Sequence, residues 1–351
     1  MRIVIFFFFD EGTHCSECVA VLVTDMNGIA YTVEKRRDGT ATRKSITPFV
    51  DKRAMAAEYA TWFTLLQDPA LSPHTCELRR VTFTTGIVDA TIVQGPRAAE
   101  QMAAFVENPH VASAPHVPSG RPRLALPPAF DVEAELEAYE VDFWGYSNGL
   151  IEKRRAGLMP DADFDQRMSS ALAQWHGCTA AYVAQGWAIM DNKMENVVVN
   201  TDGADTVVKC VVIDIESVVK CGSDHVGGQT YSFKCQQRSC PQTPQGSCHC
   251  IVPWLGLFLT AVAVQNTPTN SPRTHRGQPP CAPGGAVDTV EALSALLERE
   301  EGALSRYREK FPALGAELAR IYGKLRDVLR EHMNEDGARP TKKRAGNRPP
   351  T

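Results

Sequence analysis

The stretch "GWAIMDNKMENVVVN", residues 186–200, holds Asp191, Lys193 and Asn196 in the order D-x-K-x-x-N, between an apolar approach and a run of three valines. Polar residues so placed read as a loop on a rigid apolar floor. Downstream, "VVKCVVIDIESVV" (207–219) carries Asp214 as its only acid before Glu216. A carboxylate at the end of a buried strand is costly unless it is paired or coordinates a metal. The intervening "NTDGADT" (200–206) is a turn, so the two valine-rich runs form a hairpin with Asn196 at the mouth of one strand and Asp214 at the end of the other. An amide and an acid facing each other there offer oxygen ligands suited to magnesium, which keeps several waters and takes few protein groups. By itself "DNKMEN" also reads as a polar turn capping a helix, since Asp and Asn are good turn formers.

The 351 residues, 43% of them hydrophobic, are enough for one large domain or two lobes with a substantial core. A formal net charge of −4 gives no general attraction to nucleic acid, and nucleic-acid binding is not expected. The N-terminal "MRIVIFFFFDEG" reads as a buried first strand rather than a signal peptide, because Asp10 and Glu11 follow the apolar run at once. No segment is apolar over a length that spans a bilayer, and "IVPWLGLFLTAVAV" (251–264) reads as a buried core helix.

From residue 1 to about 95 the expected order is strand, strand, strand, helix, strand, strand. "DMNG" divides a hairpin within "CVAVLVTDMNGIAYTVEKRR", and Met55, Tyr59, Trp62, Phe63 and Leu66 recur at helical spacing. "CELRRVTFTT" and "GIVDATIVQG" supply the last two strands. Beyond "QGP" the chain turns helical: 97–107, 131–159 and 163–185 read as helices, as does 288–333, broken into a pair at Phe311-Pro312. Irregular insertions fall near 107–130, 221–250 and 265–286, and 334–351 is a basic, Pro-rich tail. Lys342, Lys343 and Arg344 there make a short cluster of the nuclear-import kind, although a solvated tail is the plainer reading.

Eleven unevenly spaced cysteines do not form the framework of a secreted disulfide protein, which favours an intracellular chain. Cys235, Cys240, Cys248 and Cys250 lie together in "KCQQRSCPQTPQGSCHC", but the C-H-C spacing is too tight for a standard zinc pair, and free thiols in a loop are the favoured reading. Cys15 and Cys18 form an isolated CxxC. His176 and His225 have no partner pattern and read as core or loop residues.

The whole arrangement, D-x-K-x-x-N followed by a strand, a turn and a second strand ending in Asp, resembles the catalytic core of the protein-kinase family. The resemblance implies an α+β, bilobal fold: a small, mainly antiparallel β N-lobe with one helix (1–95) and a larger, mainly helical C-lobe (96–333). It implies Asp191 as the base that orients a substrate hydroxyl and Lys193, in the serine/threonine-type position, on the transferring phosphoryl group. It implies Asn196 and Asp214 as Mg2+ ligands. At the front, "GTHCSECV" is similar in spacing to the glycine-rich loop, with Gly12 and Val19 matching and His14 and Glu17 replacing glycines. "YTVEK" then puts Lys35 near the place of the phosphate-binding lysine, one residue out of register, with Glu58 as its helix partner.

The expected activity is transfer of the ATP γ-phosphate to a serine or threonine hydroxyl of a protein substrate. Ile189 and Met190 stand where His and Arg normally precede the Asp, and Glu216 replaces the D-F-G glycine. "VPWLGLFLTAVAV" lacks the Asp of D-x-W-S-x-G, and Thr230 and Tyr231 are candidate activation-segment sites. Divergence of this kind occurs in kinases of large DNA viruses. Two alternatives stay open: an inactive pseudokinase scaffold, and a small-molecule kinase of the aminoglycoside-phosphotransferase type, which "VVIDIE" also resembles but Lys193 argues against.

Overall fold

The computed structural model describes residues 2–4, 20–24, 30–35, 40–45, 53–84, 89–107, 131–221, 250–266 and 289–337. Its first half is a seven-stranded antiparallel sheet backed by helices. In chain order the elements are β1 (Arg2–Val4), β2 (Ala20–Thr24), β3 (Ala30–Lys35), β4 (Thr40–Ser45), α1 (Arg53–Gln67), β5 (Leu78–Thr84), β6 (Asp89–Val93), α2 (Ala98–Glu107) and β7 (Asp131–Glu137). In space the strands run β1-β2-β3-β4-β7-β5-β6.

Two of these strands differ from the sequence reading. β4, "TATRKS", is one strand more than expected before α1; its polar composition hides the strand, yet Thr40, Ala41 and Thr42 are all buried. Residues 131–137 were expected to be helical, and they form β7, between β4 and β5. "DVEAELE" consists mostly of helix-forming residue types, but its period is two. Val132, Ala134 and Leu136 are buried while Glu135 pairs with Arg80 at 2.7 Å on the opposite face. Alternation with a buried face overrides intrinsic propensity. A register shift between Leu78 and Arg80 lets both Leu78 and Val81 of β5 face the same core.

α1 covers that face through Tyr59, Trp62, Phe63 and Leu65, all fully buried or nearly so, and the Trp62 indole donates to the Cys76 carbonyl at 2.6 Å. α2 packs along α1.

The second half contains β8 (Val141–Asp142), α3 (Phe143–Arg155), α4 (Asp161–Ala184), β9 (Trp187–Ile189), β10 (Val197–Thr201), β11 (Val207–Val212), β12 (Val218–Lys220), α5 (Val252–Asn266), α6 (Val290–Lys310) and α7 (Pro312–Gly337). α5 is apolar all round and nearly every residue of it is buried, which is how a helix at the centre of a bundle reads. Among the described residues, no helix is long and apolar enough to cross a membrane.

The chain is thus α+β and bilobal, with one apolar core under the sheet and another around α5. The two halves are joined directly. Cys76 N–H donates to the Val212 carbonyl at 3.2 Å, the Thr75 and Tyr182 hydroxyls lie 2.7 Å apart, and Lys209 donates to Glu137 at 2.5 Å.

α6 and α7 break at Phe311-Pro312 as expected. Pro312 opens α7, where its missing N–H costs nothing, and the buried Asp165 on α4 accepts from the next two amides, Ala313 at 3.0 Å and Leu314 at 2.7 Å. Asp165→Ala strips this remote cap and is expected to cost about 1–2 kcal/mol, seen as a lower urea midpoint at unchanged slope. His176 is a core histidine: it lies 3.3 Å from Glu317 of α7 and edge-on to Trp254. Burial pushes the Glu317 carboxyl upward, but hydrogen bonds from His176 and Arg320 outweigh it and the net shift is downward. Cys76, Cys178 and Cys210 are buried, and burial pushes each thiol well up, so they are inert core residues.

Candidate active site

α4 ends at Ala184, and Gly186, at φ +72°, turns the chain back along it. That left-handed backbone suits glycine. β9 then pairs antiparallel with β12, and the Met190 amide continues the pairing to the Ser217 carbonyl at 2.8 Å. The entry to the polar loop is therefore stitched to the segment just beyond Asp214. The loop closes in one 3₁₀ turn, Met194–Asn196, and runs into the β10–β11 hairpin, where Val197 pairs with Val212. Ile213 N–H donates to the Asn196 carbonyl at 3.1 Å, which brings the Asn196 and Asp214 side chains face to face.

The structure gathers four of the expected residues into one cluster. The Asn196 amide nitrogen donates to Asp214 Oδ2 at 2.7 Å, to Asp191 Oδ2 at 3.0 Å and to the Asp191 carbonyl at 2.9 Å. Lys193 Nζ donates to Asp191 Oδ2. Asp191 is 1% exposed and Asn196 0%. Two buried oxygens, Asp191 Oδ1 and Asn196 Oδ1, have no hydrogen-bond partner among the described residues. Each such atom carries a desolvation penalty of about 1–3 kcal/mol, so the cluster is incomplete without something that supplies positive charge or a hydrogen.

The donor set fits a hard cation. The Asp214 carboxylate and the buried Asn196 Oδ1 are hard oxygen donors, few in number, of the kind a magnesium ion takes, although Asn196 here turns its nitrogen toward Asp214. Among the described residues no group of three or more His, Cys, Asp and Glu gathers as a metal cluster.

Glu58 is buried on α1 and is not free. α1 packs on the turn Ile215–Ser217 that follows Asp214, so Glu58 belongs to the helix bordering the acid. Lys35 closes β3 opposite Ala41 of β4. Gly12 and Val19 lie outside the described residues, as do Cys235, Cys240 and Cys248. Cys250, just before α5, has its sulfur 3.9 Å from His332 Nδ1.

Sequence reasoning also missed Asn192 and Gly256. Asn192 is fully buried between α4 and α5, and Gly256 is the α5 residue on which its carbonyl rests. A glycine inside a strongly apolar helix was the available signal, since an isolated helical glycine usually has a packing reason.

No protein-family model and no curated protein matches the chain. Among solved structures it is similar to one described as "ROP18 kinase domain in complex with AMP-PNP and sucrose", at 11% identity and a TM-score of 0.42, over 92% of this chain and 83% of that one.

Proposed function

We propose that the protein is an ATP-dependent phosphotransferase, a divergent protein kinase acting on serine or threonine hydroxyls of a protein substrate. The observation that carries this reading is the Asp191–Asn196–Asp214 cluster, buried at Asp191 and Asn196 and half-buried at Asp214, with its two orphaned oxygens. A bound magnesium ion would be held by Asn196 and Asp214 and would supply the charge that neutralises phosphate oxygens. Asp191 orients the attacking hydroxyl and takes its proton at the free Oδ1. Lys193, only partly buried and already on Asp191, reaches from the base toward the phosphoryl group being transferred. Lys35 serves the ATP phosphates and Glu58 holds the α1 side of the site. Catalysis of this kind is mostly positioning and charge stabilisation, which suits a loop fixed by backbone hydrogen bonds on both sides.

An inactive scaffold is the second reading. What favours it is that Ile189 and Met190, just before the loop, are core residues with no polar role.

The test is a thermal-shift titration with ATP, with and without Mg2+, on the native chain and Asp214→Asn. At a hundredfold excess over Kd, ligand binding adds about 2.7 kcal/mol, a rise of roughly 4 °C for a chain of this size. The expected shift requires Mg2+ and disappears in the variant. A shift indifferent to both would remove Asp214 from the metal site, and no shift at millimolar ATP would favour the scaffold.

A further inference from the structure

Asn192 touches none of the groups assigned to chemistry, yet its side chain is wholly buried and every polar hydrogen on it is used. Its Nδ2 donates to the Pro253 carbonyl at 2.8 Å and to Thr179 Oγ1 at 3.1 Å, and its Oδ1 accepts from the Trp175 indole at 2.9 Å. Thr179 in turn donates to the Trp175 carbonyl at 3.1 Å, so both α4 partners are themselves held. The surroundings are apolar: Phe143 lies against Trp175, their ring centres 4.7 Å apart, and the α5 face is Trp254, Leu255 and Phe258. An amide in such a place is costly unless fully paired, and this one is fully paired.

On the backbone side the Asn192 carbonyl lies so close to α5 that a Cβ on Gly256 would sit 2.0 Å from it. Residue 192 is thus gripped by α4 through Trp175 and Thr179, and by α5 through Pro253 and Gly256. Its neighbours in the chain are Asp191 and Lys193. With residue 192 clamped, the only freedom left to Asp191 is its side-chain torsion, which Asn196 and Lys193 restrict.

We propose that Asn192 is a positioning residue for the phosphotransfer reaction: its amide, locked into α4 and α5, fixes the loop backbone so that Asp191 stays in register with Asn196 and Asp214. This rests on the kinase reading of the cluster. The alternative it excludes is that Asn192 only stabilises the helical half.

Asn192→Leu keeps the volume and removes all three hydrogen bonds. Leu325→Ala, a buried substitution on α7 away from the loop, is the control for lost stability alone. Both are assayed in the full chain, well below their melting midpoints, for kcat, for KM of ATP and for amide hydrogen exchange. Asn192→Leu is expected to lower kcat about 100-fold, the cost of an ångström-scale misplacement, at unchanged KM for ATP, and to lose exchange protection selectively over residues 190–197. Leu325→Ala is expected to change neither. If Asn192→Leu does not fold, Thr179→Val removes one of the three bonds and is expected to show a smaller change in the same direction.

A folded variant with native kcat overturns the proposal, and so does retained protection at 190–197. If the native chain itself shows neither Mg-ATP binding nor turnover, the kinase reading fails. The exchange pattern then still decides whether Asn192 holds the loop.

Discussion

Asp191→Asn is expected to lower kcat by about 10²- to 10⁴-fold, the usual contribution of a positioned general base, while the protein stays folded with a melting temperature within a few degrees of native. The substitution keeps the shape and leaves an amide oxygen that can still accept from Lys193 and Asn196, so the packing of the loop is preserved. What it removes is the acceptor at Oδ1, a buried atom with no hydrogen-bond partner among the described residues. Leaving such an atom unsatisfied costs stability, and a folded protein keeps that cost where function needs it. The measurement is phosphotransfer to a generic protein substrate beside a thermal melt. Full activity would remove Asp191 from the base role. Loss of activity together with loss of the melting transition would make the residue structural.

Among the described glycines, Gly256→Ala is expected to be the most damaging substitution. The new Cβ would sit 2.0 Å from the Asn192 carbonyl oxygen and 2.9 Å from its carbonyl carbon. Those are backbone atoms, so no side chain can swing away; either α5 or the loop must move. Overpacking costs about 1–3 kcal/mol and occasionally more, and this site belongs at the upper end because α5 is enclosed on all sides. A loss of about 3 kcal/mol lowers the melting temperature of a chain this long by roughly 4 °C. The same displacement moves the residue next to Asp191, so activity is expected to fall further than stability predicts. Gly323→Ala, at a helical glycine with open space around it, is the matched comparison and is expected to be neutral or mildly stabilising. Equal effects of the two would mean that the α5–loop approach is looser than it stands here.

Much of the second half is legible because its decisive contacts are short-range. The β10–β11 hairpin is written in two valine runs and the "NTDGADT" turn, and its register puts Asn196 opposite Ile213, next to Asp214. α4, α5 and the α6–α7 break follow from helical periodicity and one Phe-Pro step. β7 was misread because its Glu, Ala and Leu are helix formers and its neighbours in the sheet, β4 and β5, are remote in the chain. β4 was missed because five of its six residues are charged or carry a hydroxyl, and the sequence does not identify Thr40, Ala41 and Thr42 as buried. Lys35 could be placed on a strand, but its pairing with Ala41 of β4 follows only from the assembled sheet.

The sequence by itself determined the loop and the hairpin, and with them the identity of Asp191, Lys193, Asn196 and Asp214 as one group, because those residues lie within a single local unit whose geometry periodicity and turn chemistry dictate. Only the tertiary structure decided that two oxygens of that group are buried without partners, that Asn192 is held by α4 and α5, and that Gly256 leaves no room for a methyl. Each of these depends on elements far apart in the chain meeting at van der Waals distance, and close packing of that kind is a property of the assembled core that no run of neighbouring residues encodes.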